Sequence, residues 1–373
     1  MSLKPKDIFF RLAGGSLRWL SPASLQALRP CRIFLPFYHL VADRPPAHIG
    51  ALYKVRTVDE FVRDVDFIRR HFRPASPQQL LDWALSGEKP DRPVVVFSFD
   101  DGLREVGEVA VPILLERGLA PVVFVNSAFV DNRALFFRYK ASLLLNALQE
   151  RKSEGRRLLR NWQRAHGLVA DAARKSLLAV SYQQQPLLDD LARLLGLSFD
   201  TYLAQLRPYL STDALRALRE QGVFIGAHSI DHPLYAHISR AEQWRQTMES
   251  MAFVHGLFPD APRFFSFPFT DAGLPPDLHA QLLSAGPEGP QLLFGCAGMQ
   301  QGRTAGHYQR VPMEVADWDA RRILMSEWAY ALAKDWLPGA RAPGAGQGLF
   351  SHGDSQRATA VRPQKHDTTS TSE

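Results

Sequence analysis

The stretch Val94-Val-Val-Phe-Ser-Phe99 reads as buried strand and delivers two adjacent carboxylates, Asp100 and Asp101, followed by Gly102. An uncharged run of β-branched and aromatic residues suits a strand covered on both faces, as in a parallel sheet. The carboxylates end the run, because ionised groups do not stay in a dry core without partners. α/β enzymes place their chemistry at the C-terminal ends of such strands. An N-capping role accounts for one Asp but not for two in a row. A second pair, His228 and His232, lies after the apolar strand Val223–Ala227, and Pro233 follows it. The strand and the proline put His-x-x-x-His on a loop rather than on a helix, and Ser229 stands where the zinc-protease helix motif needs its Glu. Two imidazoles and one carboxylate form a common donor set for a catalytic divalent metal, with water in the remaining positions. With one Asp as ligand, the other is free to take a proton from a water whose pKa the metal has lowered.

The elements around these residues follow one pattern. A short apolar strand, Ile33 to Tyr38, ends at His39. Thr57 and Glu60 spell a capping box, as do Ser76 and Gln79, the latter with Pro77 at the first helical position. The helix after Thr57 carries Val58, Phe61, Val62, Val65, Ile68 and Phe72 on one stripe. After Gly102 a helix with Val106, Val109, Ile113 and Leu114 is expected to run to Gly118, and Pro121–Val125 is the next strand, which makes a βαβ unit. Phe264–Phe267 forms a strand ending at Pro268-Phe-Thr-Asp271, and Leu292–Cys296 and Gln309–Val311 read as the last strands. Strand after strand ends in polar residues (His39, Asp100 and Asp101, His228 and His232, Asp271), the layout of a parallel α/β barrel with its site at one rim.

Between about residues 132 and 210 Leu, Ala, Arg and Gln dominate and Gly and Pro become scarce. Leu143, Leu144 and Leu148, then Leu188, Leu191 and Leu194, mark helical stripes, so this segment is read as a helical insertion. The domain expectation is an amphipathic leader over residues 1–30, a barrel over 31–335 that includes the insertion, and a disordered, Gly-, Ser- and Thr-rich tail over 336–373.

At 373 residues the chain can bury a full-sized core. Its net charge of +6 is mild, and with no tandem basic patch interleaved with aromatics it predicts no nucleic-acid partner. The two cysteines, Cys31 and Cys296, lie far apart and suggest buried thiols rather than a disulfide framework. Arg11 and Arg18 interrupt any signal-peptide core, and no apolar run reaches the roughly 18 residues of a membrane span. A cytoplasmic location is the resulting expectation. The cationic, amphipathic segment 8–20 adds possible peripheral contact with an acidic membrane surface.

Phe97-Ser-Phe-Asp-Asp-Gly102, Gly226-Ala-His-Ser-Ile-Asp-His-Pro233 and Phe265-Ser-Phe-Pro-Phe269 resemble the first three motifs of the polysaccharide deacetylase family, the NodB-homology group also called carbohydrate esterase family 4. Thr212–Gly222 is similar to the helix that precedes the family's histidine motif. The resemblance runs from about Ile33 to Leu332, with the insertion outside it. It implies a distorted (β/α)7 barrel, a divalent metal (usually zinc), and hydrolysis of N-acetyl groups from amino sugars. In its terms Asp101, His228 and His232 hold the metal, Asp100 is the general base, and a backbone N–H near Phe269 helps the metal stabilise the oxyanion.

Three departures accompany the resemblance. The Arg that often precedes the third motif's Pro, and orients the base, is missing where Ser266 and Phe267 stand, and Arg310 is the candidate replacement. Within the span of the resemblance, to about Leu332, no Leu-x-x-His follows Trp318 to supply a general acid. Members that resemble biofilm-glycan deacetylases begin instead with a Tyr-His strand whose His takes that role; Tyr38-His39 matches it, which makes His39 the candidate general acid. Thr270-Asp271 stands where many members have Gly after the aromatic, and Asp271 either contacts a substrate hydroxyl or caps the next helix. Two other functions compete with the deacetylase: a catalytically inactive carbohydrate-binding or assembly subunit, and a hydrolase of a non-sugar amide.

Overall fold

The computed structural model describes residues 21–336 apart from 170, 276, 301, 303 and 316. The expected membrane-facing segment 8–20 and nearly all of the expected tail lie outside these residues. From Ser21 onward the expected leader is a capped helix, Pro22–Leu28, whose Leu25 is buried. Trp328 donates its indole N–H to the Arg29 carbonyl just beyond it, so this part of the leader packs on its own domain. Among the described residues no helix is long and apolar enough to cross a membrane.

The strands in chain order are β1 (Ile33–Phe34), β2 (Pro36–Tyr38), β3 (Arg73–Pro74), β4 (Val94–Val95), β5 (Ser98–Phe99), β6 (Val122–Val125), β7 (Phe224–Ala227), β8 (Phe264–Ser266), β9 (Leu292–Gly295), β10 (His307–Gln309) and β11 (Val311–Pro312). Eight of them form one sheet in the order β10-β9-β8-β7-β6-β5-β2-β11, with every neighbouring pair parallel. β10 and β11 are two halves of one strand that changes partner at Arg310, from β9 on one side to β2 on the other. The sheet therefore closes into a barrel of seven strands, eight segments less the one that is shared. The sequence places this last strand at Gln309–Val311; it begins earlier and breaks at Arg310.

The first two barrel strands are broken in the same way. β4 pairs with β1 on one side and β3 on the other in a small second sheet, while β2 and β5, the continuations of β1 and β4, join the barrel. Residues of β6 alternate between two apolar clusters. Val123 and Val125 face one that runs into the helices, and Val122 and Phe124 face one that gathers Phe264 and Phe294 across the barrel's interior. Both faces are thus dry, as the unbroken apolar runs require.

Both capping boxes are present, at Thr57–Glu60 ahead of the helix Val58–His71 and at Ser76–Gln79 ahead of Pro77–Ser86. After Gly102 the expected regular helix is instead a π-helical turn, Val106–Ala110, followed by the α-helix Val111–Leu115. Pro112 has no N–H to offer, and the hydrogen-bond spacing changes just ahead of it.

Between β6 and β7 lie the helices Phe137–Glu150, Lys152–Ala165, Ala173–Ala179, Pro186–Leu194 and Phe199–Leu206. Leu143, Leu144, Leu148, Leu188 and Leu191 are buried in the same cluster as Val123 of the barrel. Leu194 is exposed. Six residues beyond Leu188 at roughly 100° each, it has turned off the buried stripe.

Candidate metal centre and active site

Asp100 and Asp101 leave the end of β5 in a tight turn. Asp101 has φ 69° and Gly102 φ 63°. A Cβ at position 102 would stand 2.9 Å from Val125 Cγ1, so the turn packs against β6 only with glycine there. His228 follows β7 directly, and Ser229 and His232 also adopt positive φ. The Ser229 hydroxyl accepts the His232 backbone N–H at 3.0 Å, and Asn126, just past β6, donates its side-chain amide to the His228 carbonyl. This lattice folds His-x-x-x-His into a loop that turns both imidazoles the same way.

Asp101 Oδ1 lies 3.3 Å from His232 Nε2 and 3.7 Å from His228 Nε2. All three side chains are buried, and Asp101 Oδ1 has no hydrogen-bond partner. His228 places its Nδ1 2.8 Å from the Ser266 carbonyl; a carbonyl only accepts, so Nδ1 carries the proton and Nε2 presents a lone pair. Burial pushes His228 down to about 4 against the pull of Asp100, which keeps it neutral near pH 7. Burial acts the other way on Asp101, but His232 and its neighbours hold the carboxyl well below the usual range. The Asp101 Oδ2 atom accepts the Tyr139 hydroxyl at 2.6 Å. One ionised oxygen without a partner and a neutral imidazole with an aimed lone pair suit a divalent cation of the zinc class, which takes mixed N and O donors.

Asp100 sits beside this trio, its Oδ2 3.9 Å from His228 Nε2. Arg310 grips it with two parallel bonds of 2.7 Å, Nη1 to Oδ1 and Nη2 to Oδ2. The guanidinium also donates to Ser266 Oγ at 2.6 Å and Ser98 Oγ at 3.1 Å, and lies over the rings of Phe37 and Phe124. Burial alone pushes Asp100 up; the Arg310 charge outweighs it and keeps the carboxyl ionised. Arg310 is wholly buried, so it reaches Asp100 and no substrate. Its position explains the broken last strand: the residue at which the barrel closes turns its side chain onto the carboxylate.

His39 follows β2, and its Nδ1 lies 2.5 Å from Glu314 Oε2. Glu314 Oε1 accepts the backbone N–H groups of His39 and Leu40, each at 3.0 Å. Burial disfavours the imidazolium, but Glu314, with help from Asp101 and Asp100, raises His39 to about 9.

Phe269 has φ 57°, and its ring stands edge-on to His232 with centroids 4.5 Å apart. Asp271 does not cap the next helix, Leu278–Leu283, which begins after Asp277, and its side chain is buried. Its carboxylate lies among His279, His307 and Gln309.

Several residues at this site escape a reading of the sequence. Glu314 lies two residues past the last strand and obeys the same rule as the other strand-end polar groups, so it could have been found. Tyr139 and Phe136, whose ring centroid is 4.4 Å from that of His232, come from the helical insertion, and no local motif marks them.

The polysaccharide deacetylase family matches residues 87–274, just over half of the chain. No curated protein matches in sequence. Among solved structures, the chain is similar to a Streptococcus pyogenes deacetylase, PplD, in complex with acetate, at 13% identity and TM-score 0.50, covering 79% of this chain and 97% of that one. IcaB from Ammonifex degensii follows at 16% identity and TM-score 0.48, covering 79% and 97%. A de-N-acetylase from Aggregatibacter actinomycetemcomitans has 15% identity and TM-score 0.46, covering 75% and 94%. The PplD likeness shows a shared fold, and the match across β5, β7 and β8, which carry both Asp and both His, makes this chain a member of the polysaccharide deacetylase family.

Proposed function

We propose that the protein is a metal-dependent hydrolase that removes an N-acetyl group from an amino sugar in a saccharide or glycan precursor. One observation carries this reading: a carboxylate held ionised by Arg310 stands beside a buried Asp-His-His donor set. Asp101, His228 and His232 would hold the metal. A divalent ion there supplies an acidified water and polarises the amide carbonyl.

Asp100 takes the proton of the attacking water, and the two bonds from Arg310 fix the carboxylate's direction. The backbone N–H near Phe269 helps to hold the oxyanion. His39, kept cationic by Glu314, returns a proton to the departing amine, whose nitrogen must be protonated before the C–N bond breaks. Arg310 is thus a positioning residue. Tyr139 and Phe136 cover the ligands from the side of the helical insertion.

The deacetylase reading is favoured over an inactive binding subunit because a protein that only binds sugar has no use for an oriented base beside a metal site. The test is acetate release from a panel of N-acetylated sugars, nucleotide sugars and oligosaccharides, with and without chelator. The expected result is release from at least one saccharide that chelator abolishes and added zinc restores. Release from non-sugar amides alone would move the substrate class; release that ignores chelator would reject the metal.

A further inference from the structure

We propose that Asp271, His279 and His307 form a second buried site for a divalent metal ion of the zinc class, separate from the Asp101 site. The three come from different parts of the barrel: the loop after β8, the helix Leu278–Leu283, and the start of β10. Asp271 Oδ2 lies 3.3 Å from His307 Nε2 and 3.7 Å from His279 Nε2. These are the same two separations as in the Asp101, His228 and His232 trio. Tetrahedral zinc, with bonds of about 2.0–2.1 Å, sets its donor atoms about 3.3 Å apart.

The donors are buried, and Asp271 Oδ1 has no hydrogen-bond partner at all. A buried carboxylate with one oxygen in that state is costly, and a cation bound by the carboxylate would offset that cost. Gln309 orders the carboxylate. Its Oε1 accepts the Ala297 N–H at 2.6 Å, which fixes its Nε2 as the donor. That Nε2 donates to Asp271 Oδ2 at 2.7 Å. The backbone has yielded to the cluster as well: a Cβ on Gly295 would stand 2.5 Å from both Asp271 Oδ1 and Gln309 Oε1. Imidazole and carboxylate donors select zinc and its neighbours over calcium or magnesium, which take oxygen shells.

Such an ion does not touch substrate. It ties together three segments, and two residues before Asp271 lies Phe269, whose ring packs on His232. Cys296 donates its thiol to the Phe269 carbonyl at 2.8 Å and anchors the same loop from β9. The second ion would brace the loop that closes one side of the active centre.

The test is metal content of the full chain, reconstituted with zinc and desalted, for wild type, His307→Asn and Asp101→Asn/His232→Gln. The expected contents are two equivalents in wild type and one in each variant, with His307→Asn also losing thermal stability that added zinc does not return. The proposal falls if Asp101→Asn/His232→Gln holds no zinc, a result that stands whether or not His307→Asn folds. A single wild-type equivalent that survives in Asp101→Asn/His232→Gln and vanishes in His307→Asn would uphold this site and reject the proposed catalytic one.

Discussion

His39 shows how one neighbour sets a residue's chemistry. An imidazole this buried would ordinarily be neutral, yet Glu314 at 2.5 Å raises it to about 9. A group whose folded pKa lies above its unfolded value, about 6.5 for histidine, contributes stability that is complete below that value and lost as pH rises through the folded one. In chelator-stripped protein the pair is expected to stabilise the fold by on the order of 3 kcal/mol near pH 6, and by little above pH 10. Urea unfolding across this range should show a wild-type decline that His39→Asn lacks. Equal pH dependence in the two proteins would show that the ion pair does not form. An ion bound at the proposed Asp101 site would repel the imidazolium, so with metal present the corresponding alkaline loss of activity is expected below about pH 9. Asp100 is the mirror case, a carboxylate that Arg310 keeps charged despite burial.

At the scale of elements, the strand ends were legible and the covering helices were not. Asp100, Asp101, His228 and His232 announce themselves because polar residues interrupt apolar runs, and the parallel barrel brings all such ends to one rim. Arg310 was legible only as a cation on a late strand; the break that lets it cross to Asp100 comes from barrel closure, which no local pattern encodes. Asp271 was misread because the cluster it joins draws on a helix and a strand that follow it in the chain. The insertion's amphipathic stripes gave its helices but not the face that Tyr139 and Phe136 turn toward the metal trio. Tyr139 grips Asp101 Oδ2 at 2.6 Å, the kind of outer partner whose loss typically costs about 10–100-fold in metal affinity. Tyr139→Phe is therefore expected to weaken zinc binding at the Asp101 site by that factor, read by competition with a chromophoric chelator. An unchanged affinity would make the tyrosine a packing residue only.

Across the whole molecule, seven parallel strands, two broken at the start and one broken where the barrel closes, converge on a centre whose proposed metal donors and base are nearly inaccessible. The helical insertion shares the barrel's core and supplies part of the cover, so its helices and the barrel act on the same centre. In the proposed mechanism two adjacent carboxylates divide the labour, Asp101 binding the ion and Asp100 moving the proton. The most direct measurement is zinc content and acetate release, side by side, in Asp100→Asn and Asp101→Asn. Asp100→Asn should bind zinc at the Asp101 site as wild type does and lose roughly 10²–10⁴-fold in turnover, while Asp101→Asn should lose both zinc at that site and turnover. An Asp100→Asn protein that keeps its turnover, or that loses the zinc together with it, would contradict the division.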